Sequence, residues 1–337
     1  MNKLFVVLLS IFISVFAVAD DWVSPIDKKY SQKNVQLFQI FNEARALLDG
    51  WQGQRVLLVN ANALLLEVLN KDPNFAPAHR EYGRLFIMSG LINSNNIVKE
   101  NLDVAETSIL KSIEIEPAYA DSFVLLGHLY TVTKKYSDAE VALKKAEEIG
   151  TETPWLDLNW ADLLVHQAKY LAAITRYEKV IQSNTANRKA YLSALSGITD
   201  VYYNIGDYNK VNDSYKKQIA YDPKSAWVRG NYAGFLLFTF NDVDGAIKNA
   251  EQALEIMNYG LGRFTLACAL YTKWAQLKSD PVTSTQAQVF FEKAWAIYPN
   301  PQAVIDGTRS YPYTKVTAIA LENWLLENPE YGGSPKK

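Results

Sequence analysis

Apolar and small residues recur along this chain at steps of three and four, the spacing that places side chains on one face of an α-helix. Two neighbouring stretches also match each other at a shift of 34 residues. The first carries Leu126, Gly127, Tyr130, Tyr136, Ala139, Leu143 and Ala146, and the corresponding positions of the second are Trp160, Ala161, Leu164, Tyr170, Ala173, Tyr177 and Val180. A period of this length is typical of a helix-turn-helix solenoid, so the pattern predicts stacked helix pairs.

A second pattern spaces small or apolar residues four, three and five positions apart and closes on a proline. Its four instances are Ala61, Leu65, Val68, Pro73; Ala105, Ile109, Ser112, Pro117; Val211, Tyr215, Gln218, Pro223; and Ala287, Phe291, Ala294, Pro299. Proline lacks the backbone N–H and clashes with the preceding turn, so each proline predicts the end of a helix pair. We expect seven pairs, starting near Asn34, Ala76, Ala120, Pro154, Lys189, Ala226 and Gly260.

The separations between successive prolines of this pattern are longer than whole multiples of 34 residues. The extra residues predict loops. Residues 89–100 form an asparagine-rich insertion within the second pair, and residues 279–284 form another within the last pair. A final helix over residues 314–327 is expected to cap the stack. Within a pair, we expect the helices to meet at small residues, Gly127 with Ala139. No pair can bury its apolar surface alone, so the pairs must stack.

The N-terminal segment has the composition of a secretory signal. Lys3 precedes an apolar run over residues 4–16, which ends in a small-x-small site at Ala19. The run is shorter than the roughly 20 residues that cross a bilayer, so we expect cleavage near Ala19/Asp20, no membrane insertion afterwards and a periplasmic or secreted location. The predicted organisation is a signal peptide (1–19), an N-terminal tail (20–33), a repeat superhelix (34–299) and a C-terminal capping helix with its tail (300–337).

Composition narrows the function classes. The formal charge of −2 becomes −3 once Lys3 is removed, which does not favour nucleic acid as a partner. Cys268 is the single cysteine, so no intramolecular disulfide can form, and its apolar neighbours indicate a buried thiol. No nucleophile elbow, Walker loop or zinc-protease motif is present. We therefore predict a protein that is not an enzyme and has no cofactor.

The repeat residues resemble a known family. Phe123-x-x-Leu126-Gly127-x-x-Tyr130, Trp160-Ala161-x-x-Leu164 and the Ala-x3-aromatic-x2-Ala-x4-Pro endings are similar to tetratricopeptide repeats, over about residues 34–299. The resemblance implies an all-α, right-handed superhelical solenoid whose concave groove is lined by the first helix of each pair. It also implies a protein or peptide partner. The family's clamp for chaperone C-termini is absent, since the matching positions hold Val124, His128, Leu158 and Asp162.

The first helices predict which side chains the groove presents. At helical spacing, the candidates are Arg80, Arg84, His128, Thr131, Trp155, Asp162, His166, Asp200, Tyr203, Asn204, Trp227 and Phe238. They change along the chain from basic, through acidic and polar, to aromatic. Our hypothesis is a bound peptide, extended or helical, anchored at the aromatic end and oriented by charge at the other. For any one of these residues, core packing or simple solvation is the more common role.

Three alternatives stay open on the sequence. His128, Asp162 and His166 are spaced so that they could converge on zinc or copper, although a hydrogen-bonded Asp–His pair is the interpretation we favour. Eight Trp and twenty Tyr motivate a glycan-binding accessory role in envelope polysaccharide export. Apolar end units would allow self-assembly.

Asn212-Asp213-Ser214 is a formal glycosylation acceptor inside a predicted helix.

Overall fold

The computed structural model describes residues 22–90, 98–183 and 185–331. These residues contain seventeen α-helices, one π-helical turn and one short 3-10 turn, with no strand among them. The helices are α1 Pro25–Lys33, α2 Val35–Gly50, α3 Arg55–Lys71, α4 Ala76–Gly90, α5 Lys99–Ile115, α6 Ala120–Val132, α7 Tyr136–Ile149, α8 Pro154–His166, α9 Tyr170–Gln182, α10 Arg188–Asn204, α11 Tyr208–Tyr221, α12 Ala226–Phe235, α13 Val243–Ile256, α14 Gly260–Leu277, α15 Ser284–Ile297, α16 Pro301–Thr308 and α17 Lys315–Glu327. The all-α fold class is confirmed.

Helices α2 to α15 form the seven antiparallel pairs, and their first helices begin within one residue of the predicted positions. Local signals set these starts. The Asn34 side chain accepts a hydrogen bond from the Leu37 amide at 3.0 Å, and Pro154 occupies the first turn of α8. Each of the four pattern prolines lies two residues beyond the last residue of its helix, at the ends of α3, α5, α11 and α15.

The helices within a pair approach closely at small residues. A Cβ placed on Gly127 would lie 2.6 Å from Leu143 Cδ2 and 3.5 Å from the carbonyl oxygen of Ala139. The Gly83 position of the preceding pair is equally tight, since its Cβ would lie 2.5 Å from Ile109 Cγ1. The side chains of Ala139 and Leu143 are fully buried, which confirms the predicted contact between small residues.

The contacts divide the chain into two compact units, Met1–Gly197 and Ile198–Lys337. Here unit 1 denotes the described residues of the first and unit 2 those of the second. The boundary falls inside α10, and nothing in the repeat spacing marks it. Each unit has its own core, built from helix pairs and their neighbours.

Residues 25–33 of the predicted N-terminal tail form α1, which packs against α2 and α4 within unit 1. Asp27 and Tyr30 are each only 3% exposed. The Tyr30 hydroxyl donates to the carbonyl oxygen of Asn74 at 3.0 Å, and Lys29 pairs with Glu116 at 2.6 Å. Apolar periodicity did not reveal this helix because only Tyr30 and the partly buried Ile26 join the core, and polar contacts supply the rest.

The C-terminal segment contains one helix more than predicted. The capping helix is present as α17, and α16 precedes it. The Asn300 side chain accepts a hydrogen bond from the Ala303 amide at 3.1 Å, and Pro301 lies in the first turn. Both are signals of a helix start, but a helix of eight residues shows only weak periodicity in the sequence. The predicted signal peptide and most of the 89–100 insertion lie outside the described residues. Within the part described, no helix is both long and apolar enough to span a bilayer.

We expect Gly127→Ala to destabilise the protein by about 1–3 kcal/mol, because the added methyl group would overlap the fully buried Leu143 side chain. Urea unfolding followed by circular dichroism measures the change. Gly234→Ala is the matched control, since no atom lies within 4 Å of its Cβ position and alanine favours the helix. Equal stability of the Gly127 variant and the wild type would contradict the packing argument.

Candidate functional site

The first helices of unit 1 lie side by side. Helix α2 contacts α4, α4 contacts α6, and α6 contacts α8, so their free sides form one surface, which we call the inner face of unit 1. The Asn159 amide of α8 donates to the carbonyl oxygen of Val124 on α6 at 3.1 Å and fixes their alignment. The predicted candidates on these helices are placed on or beneath this face.

Arg80 is engaged inside the protein. Its side chain is 15% exposed and pairs with Glu81 at 2.5 Å and with Asp121 at 3.6 Å. Glu81 is 1% exposed and also pairs with Arg84 at 3.1 Å. Burial alone would raise the pKa of Glu81, but the guanidinium groups of Arg80, Arg84 and Arg45 together lower it. Glu81 therefore remains ionised, and Arg80 does not present a free charge.

The ion network reaches α1 through a buried carboxylate. Asp27 pairs with Arg45 of α2 at 3.2 Å and accepts a hydrogen bond from the Tyr119 hydroxyl at 2.6 Å. The Arg80 guanidinium lies 5.4 Å from the centre of the Tyr119 ring. Because these groups belong to four different elements, the network fixes α1, α2, α4 and the start of α6 to one another.

Arg84 and Lys189 form a cationic pair at one end of the inner face. Arg84 is 26% exposed and pairs with Asp49 at 2.7 Å. Burial and the nearby Arg84 lower the pKa of Lys189, and Asp49 opposes this shift only in part. The Lys189 ammonium group donates to the carbonyl oxygen of Trp51 at 3.4 Å. Lys189 was not predicted as a site residue, since only the folded chain brings the start of α10 to the end of α2.

The middle of the inner face holds a polar pair. Burial lowers the pKa of His128, while the Asp162 carboxylate acts in the opposite direction. Asp162 accepts a hydrogen bond from the Tyr177 hydroxyl at 2.5 Å, and the exposed His166 ring stacks on Tyr136 at 5.6 Å. The described residues hold no group of three or more His, Cys, Asp or Glu side chains suited to a metal ion. The hypothesis that His128, Asp162 and His166 converge on a metal is therefore corrected.

Two other candidates on these helices are used for packing. Thr131 is 2% exposed, and its hydroxyl donates to the carbonyl oxygen of Gly127 at 2.9 Å, a bond within its own helix. Trp155 is half-buried and packs against the apolar cluster that contains Leu143 and Leu163. The Thr131 hydroxyl is therefore already engaged, and part of the Trp155 ring is used in the core.

In unit 2, helices α12 and α14 lie side by side. The end of α10 reaches the turn after α12 through Tyr203 and Thr239, and we call the surface formed by these elements the inner face of unit 2. Trp227 is 55% exposed and rests on Tyr259, with ring centres 4.8 Å apart. Tyr203 is 44% exposed, and its hydroxyl lies 3.4 Å from that of Thr239. Both rings are therefore available to a ligand on this face.

The remaining candidates of unit 2 differ in their accessibility. Asp200 and Asn204 are exposed on α10, and desolvation by the surrounding protein raises the pKa of Asp200. Phe238 lies in the π-helical turn Leu236–Phe240 and is covered by Tyr311, 4.6 Å away. Tyr311 belongs to the segment between α16 and α17, so the C-terminal region occupies part of the predicted aromatic end.

Other features noted in the sequence are structural. The Asn212 side chain accepts a hydrogen bond from Tyr232 at 2.6 Å, and Ser214 is 6% exposed, so the formal glycosylation acceptor is engaged in packing. Cys268 is fully buried and burial raises the pKa of its thiol, which agrees with a small core residue. A cavity of about 320 Å³ lies before α8, where Asp157 pairs with Arg176 and Lys179, each at 2.7 Å.

Comparisons with known proteins support the fold. No protein-family model and no curated protein matches the sequence. Among solved structures, a chain of the APC/C hetero-tetramer Cut9-Hcn1 has a TM-score of 0.52 at 15% identity, over 70% of this chain and 46% of that one. Yeast Tom70 also has a TM-score of 0.52, at 19% identity, over 77% of this chain and 52% of that one. The chain thus spans about half the length of each.

A tetratricopeptide repeat protein from Parabacteroides merdae is also similar, with a TM-score of 0.42 at 15% identity over 84% of this chain and 99% of that one. At identities this low, similarity concerns the fold alone. The 34-residue period and the stacked antiparallel pairs agree with the fold shared with the Cut9-Hcn1 chain and Tom70. The chain has the fold of a tetratricopeptide-type solenoid.

We expect Glu81→Gln to lower the free energy of unfolding by about 3–5 kcal/mol at pH 7, because it leaves buried guanidinium groups without their shared partner. The folded-state pKa of Glu81 lies below its ordinary value of 4.5. Its contribution is therefore complete above that pH and is lost as the pH falls through the folded pKa. The difference between variant and wild type should shrink in acid.

Chemical denaturation at several pH values between 7 and 3 measures this dependence. Glu67→Gln is the control, since Glu67 and Lys71 form an exposed pair on α3 whose loss should cost less than about 1 kcal/mol. A Glu81 variant as stable as the Glu67 variant at pH 7 would show that the network is not a stabilising element.

Proposed function

We propose that this chain is a non-enzymatic scaffold that binds a protein or peptide outside the cytoplasm. The observation that carries the proposal is the exposure of Trp227 and Tyr203, 55% and 44%, on the inner face of unit 2. Large rings of this kind contribute most of the binding energy at protein interfaces when a partner covers them. Solenoids of helix pairs offer extended surfaces for such contacts.

The polar groups around these rings suit a peptide backbone. Asp200 and Asn204 are exposed one turn apart on α10, beside Tyr203. Carboxylate and amide side chains bond backbone N–H and C=O groups, whereas the rings accept apolar side chains. On the inner face of unit 1, Arg84 and Lys189 supply a cationic end that would attract a carboxylate. Arg80, which the sequence placed beside Arg84, is left out because its charge is used internally.

The glycan alternative has no observation that favours it. Many aromatic rings pack against each other, as Phe291 does against Trp324 at 4.7 Å and Phe41 against Phe75 at 5.6 Å. Aromatic content by itself therefore reflects packing in this chain.

We expect a photo-crosslinking residue at position 227 or 203 to capture a discrete partner in cells. The same probe at Leu171 is the control, because Leu171 is 78% exposed but lies on a second helix. Purified Trp227→Ala and Tyr203→Ala variants should each bind the captured partner at least about tenfold more weakly, as expected for hot-spot residues. Capture from position 171 that equals capture from 227 would remove the support for the inner face.

The location outside the cytoplasm rests on residues 4–16 and the small residues up to Ala19. We expect the protein extracted from its source to begin at or near Asp20, which intact-mass measurement or N-terminal sequencing would show. Replacing Ala17 and Ala19 together by larger residues should leave the segment attached. A natural chain that retains Met1–Ala19 would contradict this part of the proposal and leave the binding function untouched.

A further inference from the structure

One end of the inner face of unit 2 combines exposed aromatic rings with a single carboxylate. Tyr203 and Tyr208 are both exposed, and their ring centres lie 5.7 Å apart. The exposed Phe240 joins the same group of rings through Phe235, which contacts Phe240 at 5.5 Å and Tyr208 at 6.3 Å. Asp200 is exposed on α10. We call Asp200, Tyr203, Tyr208 and Phe240 the acidic-aromatic cluster.

The π-helical turn at the end of α12 places Phe240 in this cluster. On an α-helix, residues three or four apart share a face, so a side chain five residues after Phe235 would lie on another side. The wider turn over Leu236–Phe240 brings the Phe240 ring into contact with Phe235. The same turn carries Thr239, whose hydroxyl lies 3.4 Å from that of Tyr203. Turns of this kind are uncommon in helices and are frequent at functional sites.

Asp200 lacks a counter-ion. It lies one turn before Tyr203 on α10, so the two side chains are neighbours on that helix. Both groups act electrostatically on the Tyr215 hydroxyl, which places all three close together. The surrounding protein removes water from the Asp200 carboxylate and raises its pKa, and no cation in the described part of the chain offsets this shift. The carboxylate therefore remains available to a positive charge from outside.

A ring of the same helix already holds a cation of the chain. The Lys210 ammonium group lies 4.9 Å from the centre of the Tyr202 ring and 3.7 Å from the Asp207 carboxylate. A positive charge over an aromatic face is attracted by the quadrupole of the ring, and a nearby carboxylate adds an ionic attraction. Tyr203 and Asp200 offer the same two kinds of group, without a cation of their own.

We propose that the acidic-aromatic cluster binds a cationic side chain of the partner, with arginine preferred. The guanidinium group would stack on the Tyr203 ring and donate hydrogen bonds to the Asp200 carboxylate. Arginine suits both contacts better than lysine, because its guanidinium group is planar, stacks on aromatic rings and presents its donors as a fork that matches a carboxylate. The inference rests on the proposed function, since it names the chemistry of one residue in the partner of unit 2.

Binding of a small cation to the full chain tests the cluster without a partner. The probe is Nα-acetyl-arginine amide, and Nα-acetyl-citrulline amide is the control, which is uncharged and nearly the same shape. We expect the arginine probe to bind with a dissociation constant on the order of millimolar, as befits so small a ligand. The citrulline control should bind at least about fivefold more weakly, since it lacks the charge that the rings and the carboxylate attract. Chemical-shift changes in NMR spectra of the labelled protein measure both.

Variants assign the binding to the cluster. Asp200→Asn should weaken binding of the arginine probe at least about fivefold. Asp213→Asn is the matched control, because it removes the same charge from the exposed surface of α11 and should change nothing. Tyr203→Leu should weaken binding about two- to fivefold, whereas Tyr203→Phe should retain it, since the ring supplies the attraction. Circular dichroism shows whether each variant keeps its fold.

Three results would overturn the inference: no binding of the arginine probe, equal binding of the arginine and citrulline compounds, or unchanged binding by the Asp200 variant. Each of them leaves the proposed function standing if a crosslinker at position 227 still captures a partner in cells. Binding that is specific for arginine and depends on Asp200, without capture of a partner from position 227 or 203, would count against the proposed function alone.

Discussion

Close approach of the two helices of each pair is the constraint on which the rest of the structure depends. At Gly127 the neighbouring helix is so near that a methyl group would overlap Leu143, and Gly83 meets Ile109 in the same way. A pair of helices packed in this way cannot cover its own apolar side. Each must stack on the next, and the chain has no disulfide to substitute for this packing. The stacking in turn sets the first helices side by side and creates the inner faces.

Within unit 1, a buried network of charges complements the apolar packing. Glu81 lies between Arg80 and Arg84, and Asp27 of α1 joins the same network through Arg45. Charges removed from water are tolerated only when each has partners, so the network specifies one arrangement of these helices. The network also gives the two arginines of α4 different environments. Arg80 is held inside the protein, whereas Arg84 still reaches the surface.

The helix pairs were predictable because their signals are local. Prolines at 73, 117, 223 and 299 end helices regardless of the tertiary structure around them, and capping residues such as Asn34 start helices in the same way. Core positions followed from steps of three and four, as Ala61 and Leu65 show with complete burial. Helices α1 and α16 were not anticipated because nine and eight residues are too few to show apolar periodicity, although Tyr30, Val304 and Ile305 are buried in the fold. The candidate site was predicted less well: Trp227 and Tyr203 are exposed as expected, whereas Thr131 is buried and Phe238 is covered.

By itself, the sequence determined that this protein is a stack of helix pairs, where each pair begins and ends, and which residues meet inside it. These properties arise from interactions over a few turns of one helix or between adjacent helices. Tertiary structure alone decided that Asp49 pairs with Arg84, that Lys189 lies beside Arg84, and that Tyr311 packs on Phe238. Those outcomes depend on contacts between groups far apart along the chain, which no local spacing encodes.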